Sequence, residues 1–135
     1  MGFVCAVGKF SSDFFSKMNG ISIITGSEIN AVDCAECVVI IGREETNICI
    51  RSAFGVIISE DNEISLPCGI QLITCGLSHK NAVSVTSRTD ERIILSLNRS
   101  LRTECGTAEP LELPVCSGTD EYELMAAFAA RLMLS

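Results

Sequence analysis

The chain has 135 residues, a size suited to one domain with its own hydrophobic core. Apolar residues make up 47 %, too many for a disordered chain, yet no apolar run approaches the ~20 residues of a membrane span. The net charge of −7 argues against nucleic acid as a partner, and the one basic stripe, Arg88, Arg92, Arg99 and Arg102, is interleaved with Asp90, Glu91 and Glu104.

The start, MGFVCAVGKF, lacks the basic residues and length of a secretory signal, and Ala6 stands where a myristoylation signal wants Ser or Thr. A cytoplasmic protein without a membrane partner is expected. FVCAVG (3–8) reads as a buried strand closed by glycine. In KFSSDFFSKMNG, Phe10, Phe14, Phe15 and Met18 fall at helical spacing and Gly20 can end the helix. ISIIT then gives a second strand, so the chain opens as a βαβ unit. GSEINAVDCAE reads as polar and irregular, and CVVII (37–41) as a buried strand. REETNICIRSAF is expected to be a helix, with Ile48, Ser52 and Ala53 on one face and acids at its start. VIIS and IQLITCG are further buried strands, separated by the acidic turn EDNE.

After Gly76 the period changes. AVSVTS alternates, RIILSLNRSL follows a polar turn, and LELPV is another short strand, a pattern of antiparallel pairing. The last helix, EYELMAAFAARLM, carries Tyr122, Met125, Ala126, Ala129, Leu132 and Met133 on one face, with Ser117 or Thr119 as cap. The fold class is therefore α/β: a mainly parallel sheet with helices on both faces and antiparallel strands added in the C-terminal half. One domain spans 1–135, with 1–58 as a βαβ-type half and 59–135 as a second half.

Chemistry is sparsely written. Of eight cysteines, Cys5, Cys37, Cys49, Cys68, Cys75 and Cys116 lie in or beside apolar runs, where cysteine acts as a small hydrophobe. Cys34 and Cys37 form a single C-x-x-C, which can be redox-active or half a zinc site; zinc requires a second pair or histidines, and a redox pair usually opens a helix whereas Cys37 starts the run CVVIIG, so a structural role with no metal and no cofactor is expected. Gly8, Lys9 and Ser11 sit between a strand and a helix, the place of a phosphate loop, but neither phosphate-loop motif is present. Gly76, Ser78, His79 and Lys80 follow a strand, where open α/β sheets bind ligands. His79 is the one histidine, and Cys75 or Ser78 would be its nucleophile in a small hydrolase or transferase. The acids Glu60, Asp61 and Glu63 fit no calcium loop and read as a solvated turn.

The order GVIISED, QLITCGL, alternating strands, LPV, glycine and LMAAFAARL resembles the latter part of the central, ATP-binding domain of Mur-type amide ligases, over roughly 56–134. The departures are specific. There is no phosphate loop, Ser59, Glu60 and Asp61 stand where the family reads adenine, and Gly118, Thr119, Asp120 and Glu121 replace its Gly-x-His-Asn. The resemblance thus implies a shortened, degenerate bacterial relative without ligase machinery. The expected function is a non-catalytic binding or assembly protein that forms homo-oligomers or meets a protein partner. The alternatives are the His79 enzyme and a nucleotide or small-anion sensor at Gly8, Lys9 and Ser11.

Overall fold

The computed structural model describes residues 2–26, 28–44, 47–117 and 120–135. The chain opens as expected. Strand β1 (Phe3–Val7) is followed by helix α1 (Ser12–Lys17) and by β2 (Ile23–Gly26), which pairs parallel to β1. Gly8 turns the chain out of β1 with φ +109°, a conformation glycine adopts without a Cβ penalty. Ser11 caps α1, its Oγ accepting the Phe14 N–H, while Phe14 and Met18 are buried and Phe15 is exposed.

The middle of the chain stacks in tiers. Strand β3 (Ala31–Asp33) turns into β4 (Cys37–Ile41), and β5 (Cys49–Ser52) turns into β6 (Gly55–Ser59). A third pass through Ile64, Leu66 and Ile70 leads into β7 (Gln71–Gly76). β3 pairs parallel with β5, and β4, β6 and β7 pair parallel in that order. Ile40, Ile57 and Ile73 lie in register across these three strands, and all three are fully buried.

Two expectations fail here for one reason. AVD, within the stretch read as irregular, is β3. The expected helix over REETNICIRSAF is instead a loop and β5; its Glu45 and Thr46 lie outside the described residues. Ile50 is buried between exposed Cys49 and Arg51, a period of two, and Ile50 packs beside Val32 in one apolar layer. Tertiary pairing with β3 settles the conformation that a short sequence leaves open.

The antiparallel end is as read. Strand β8 (Val83–Arg88) starts parallel to the end of β7, then pairs antiparallel with β9 (Arg92–Leu97), which pairs antiparallel with β12 (Leu111–Cys116). A small hairpin, β10 (Leu101–Thr103) with β11 (Gly106–Ala108), lies between. The main sheet has the order β12-β9-β8-β7-β6-β4-β1-β2 and runs unbroken past residue 58.

Helix α2 (Glu121–Met133) closes the chain. Its cap is Asp120, whose carboxylate accepts the Tyr122 and Glu123 N–H groups. Ser117 instead donates its backbone N–H to Glu91 O, and Thr119 lies outside the described residues. Both helices contribute to one apolar core on one face of the sheet, with Phe14, Met18, Met125, Ala129 and Met133 against Ile40, Ile57, Ile73 and Leu95. The other face packs Cys5, Val7, Val39 and Val56 against Val32 and Ile50 of the β3–β5 layer. The α/β class stands, but the second cover is this small sheet rather than helices. Among the described residues, the crossovers from β4 to β6 and from β6 to β7 contain no helix, so they deliver strand and loop to that face.

Candidate functional site

The parallel strands β1, β4, β6 and β7 end on one side of the sheet, and the N-terminus of α2 comes down over those ends. From β1 the chain moves to β2 on one side and then to β4 on the other, so the order reverses between β1 and β4. Outside the carboxyl ends of strands at such a reversal, open α/β sheets place their ligand crevice. A crevice of about 320 Å³ lies there, lined by Lys9, Phe10, Gly42, Arg43, Glu44, Asp120, Tyr122 and Glu123. A neighbouring one of about 250 Å³, sharing Arg43 and Tyr122, continues across Ser59, Glu60, Gly76 and Leu77.

The contacts inside are mutual. Arg43 pairs with Asp120 at 3.0 Å and lies 5.6 Å from the centre of the Tyr122 ring. Tyr122 donates its hydroxyl to Ile41 O and, at 3.3 Å, to Ile57 O, and burial holds its phenol well above the ordinary tyrosine range. Glu123, nearly buried, accepts the Ser11 N–H at 2.9 Å and the Ser11 hydroxyl at 2.5 Å.

The last pair bears on the expected anion site. Gly8, Lys9 and Ser11 do meet at the end of β1, and Lys9 lines the larger crevice. The donors that an incoming anion would use at Ser11, however, already serve the carboxylate of Glu123. The chain supplies its own anion.

Gly76 lines the smaller crevice, where a Cβ would collide with the Glu60 carboxylate. Ser78, His79 and Lys80 line neither crevice; they lie exposed on the loop from β7 to β8. That loop is tied down as a turn. Asn81 donates to Glu60 Oε2 at 2.5 Å and to Ser78 O at 3.0 Å, Ser78 Oγ accepts the Lys80 N–H, and Arg99 donates to Lys80 O. Cys75 is buried, and burial pushes its thiol up, away from the thiolate a nucleophile needs. Cys49, Cys68, Cys105 and Cys116 are exposed, so the reading of cysteines as core hydrophobes holds for Cys5, Cys37 and Cys75 but fails for Cys49, Cys68 and Cys116.

Arg43, Tyr122 and Glu123 were not singled out as site residues. A signal existed for Glu123: Asp120-x-x-Glu123 has the spacing of a capping box. Its carboxylate turns away from its own helix to the cap of α1, which only the packing of α1 on α2 arranges. Among the described residues no group of His, Cys, Asp and Glu is placed to hold a metal ion, and no helix is long and apolar enough to cross a membrane.

A second, apolar concavity lies elsewhere. A groove of about 380 Å³ runs between edge strand β12 and α2, lined by Leu111, Leu113 and Val115 from the strand and Leu124, Ala127, Phe128 and Leu132 from the helix, with Lys17 and Arg131 at its rim. Leu111 and Leu113 keep 37 % and 43 % of their surface exposed. No family model, characterised protein or solved structure matches the chain.

Proposed function

We propose that this chain is a non-catalytic assembly module, a shortened cytoplasmic relative of bacterial Mur-type ligase central domains, that associates with a second copy of itself through the β12–α2 groove. The observation carrying the reading is the groove: alternate residues of β12 put Leu111, Leu113 and Val115 on the side that faces α2, and two of the three are left open to solvent. Such an open apolar face is a favoured contact surface. In a two-fold pair the same patch meets itself, so the Leu111–Leu113 ridge of one copy enters the groove of the other.

Charge favours a second copy as occupant. The rim carries Lys17 and Arg131, whereas the chain as a whole is acidic and exposes Glu109 just before β12. Edge-to-edge strand pairing is the less suitable route. Pro114 sits mid-strand on β12 and has no N–H to donate, the usual device that blunts a free edge. The kinship rests on the ordered segments GVIISED to LMAAFAARL.

The His79 enzyme draws little from the geometry: its candidate partner Cys75 is buried, and the other, Ser78, sits exposed in a braced turn with its Oγ accepting the Lys80 N–H. The nucleotide or anion reading has the position of the switch-point crevice in its favour and the Glu123–Ser11 pair against it. Sedimentation equilibrium tests the proposal: a concentration-dependent dimer that Leu113→Asp converts to a folded monomer supports it, and a monomer at all concentrations refutes it.

A further inference from the structure

Three of the eight cysteines converge on one place in the core that the assembly reading does not use. Cys37 begins β4, Cys5 lies in the adjacent strand β1, and Cys34 precedes β4 by a tight turn. All three join the apolar cluster under the β3–β5 layer, Cys5 and Cys37 buried within it and the half-buried Cys34 packed against it. We propose that Cys34 and Cys37 form a reversible disulfide, closed by exchange with a small disulfide such as glutathione disulfide.

The geometry of the turn carries the first part. Cys37 donates its N–H to Cys34 O at 3.2 Å, the i-to-i+3 bond of a β-turn. Such a turn brings its end Cα atoms within about 7 Å, and a disulfide spans about 4.4–6.8 Å. Both side chains face the same apolar cluster, so the sulfurs start on one side of the backbone. Cys5 is differently placed. It stands opposite Val39, diagonal to Cys37. A diagonal neighbour lies on the order of 7–8 Å away between Cα atoms, beyond comfortable bridging but within reach of a thiol hydrogen bond.

The neighbouring Cys5 and burial push the Cys37 thiol up, so the more accessible Cys34 reacts first. Cys34 attacks glutathione disulfide as its thiolate, forming a Cys34–glutathione mixed disulfide and releasing one glutathione thiolate. Cys37 then gives its proton to solvent and attacks the Cys34 sulfur, and the second glutathione leaves as thiolate. Two protein thiols are oxidised by two electrons, and one glutathione disulfide is reduced to two glutathiones. The covalent link fixes the corner between the β3 layer and the main sheet.

The test is peptide mapping. Protein is incubated with glutathione disulfide near pH 8, quenched with acid and digested with trypsin. The peptide 18–43 contains Cys34 and Cys37 and no other cysteine. It is expected to lose two hydrogens in mass, reversibly with dithiothreitol, and not to do so in Cys37→Ser, where the glutathione adduct at Cys34 persists. Recovery of 18–43 fully reduced, or bearing a lasting glutathione adduct in the parent chain, overturns the disulfide. A parallel run with Cys49, Cys68, Cys105 and Cys116 replaced by serine removes exchange with exposed thiols. Should that variant not fold, the peptide mass from the parent chain reads the same bond.

Discussion

Glu123 shows how one side chain can close a site and brace a fold together. Its two oxygens accept the Ser11 N–H and hydroxyl, so the first turn of α1 is held by the first turn of α2. Glu123→Ala strips both partners from Ser11, and a loss of about 1–3 kcal/mol in unfolding free energy is expected from urea denaturation. Tyr122→Phe keeps the ring under Arg43 but removes the hydroxyl shared by Ile41 O and Ile57 O, which costs about 1–2 kcal/mol by the same measurement. Glu121 adds a pH dependence. The Arg88 guanidinium, bonded to it at 2.6 Å through both nitrogens, holds its carboxyl below the usual glutamate range. A depressed folded value stabilises above the ordinary carboxylate range, and the contribution is lost as pH falls through the folded value. Thermal midpoints across pH 2–7 should therefore fall less steeply in Arg88→Gln, by a small margin because both groups are solvent-facing. The position of the crevice was legible in the strand-loop-helix order around Gly8 and Lys9. Its occupant was not, because Ser11 and Glu123 lie 112 residues apart and nothing local in either segment encodes their meeting.

At the scale of elements, the tiered strands β4, β6 and β7 organise the molecule, and α2 is fitted to them. Gly55 leaves room for the end of Met133; a Cβ there would collide with the methionine Cε. Gly55→Ala must displace a flexible side chain from a closed core and is expected to cost about 1–3 kcal/mol. Ile57→Ala opens a cavity in the middle of the Ile40–Ile57–Ile73 row and is expected to cost about 2–5 kcal/mol. The buried strands were readable because each is a continuous apolar run with branched side chains, bounded by Gly8, Gly42 or Gly76. The antiparallel strands were readable from alternation. β3 and β5 were missed because each is only three or four residues long and half its residues face water. The burial of Val32 and Ile50 depends on the tier beneath, which local periodicity does not reveal.

At the scale of the whole molecule, α1 and α2 cover one face of the sheet, the β3–β5 layer covers β1, β4 and β6 on the other, and a seam stays open between α2 and β12. The α1–α2 layer covers β4, β6, β7 and β8 but stops short of β12, and the gap leaves Leu111 and Leu113 in solvent. Filling that seam from outside removes apolar surface from water without rearranging the core, which is the physical basis of the assembly proposal. The most direct measurement is sedimentation equilibrium of the parent chain and of Leu113→Asp over a wide range of concentration. The account predicts a dimer for the parent and a monomer of unchanged circular dichroism for the variant. A parent chain that stays monomeric throughout, or a variant that dimerises equally well, would contradict it.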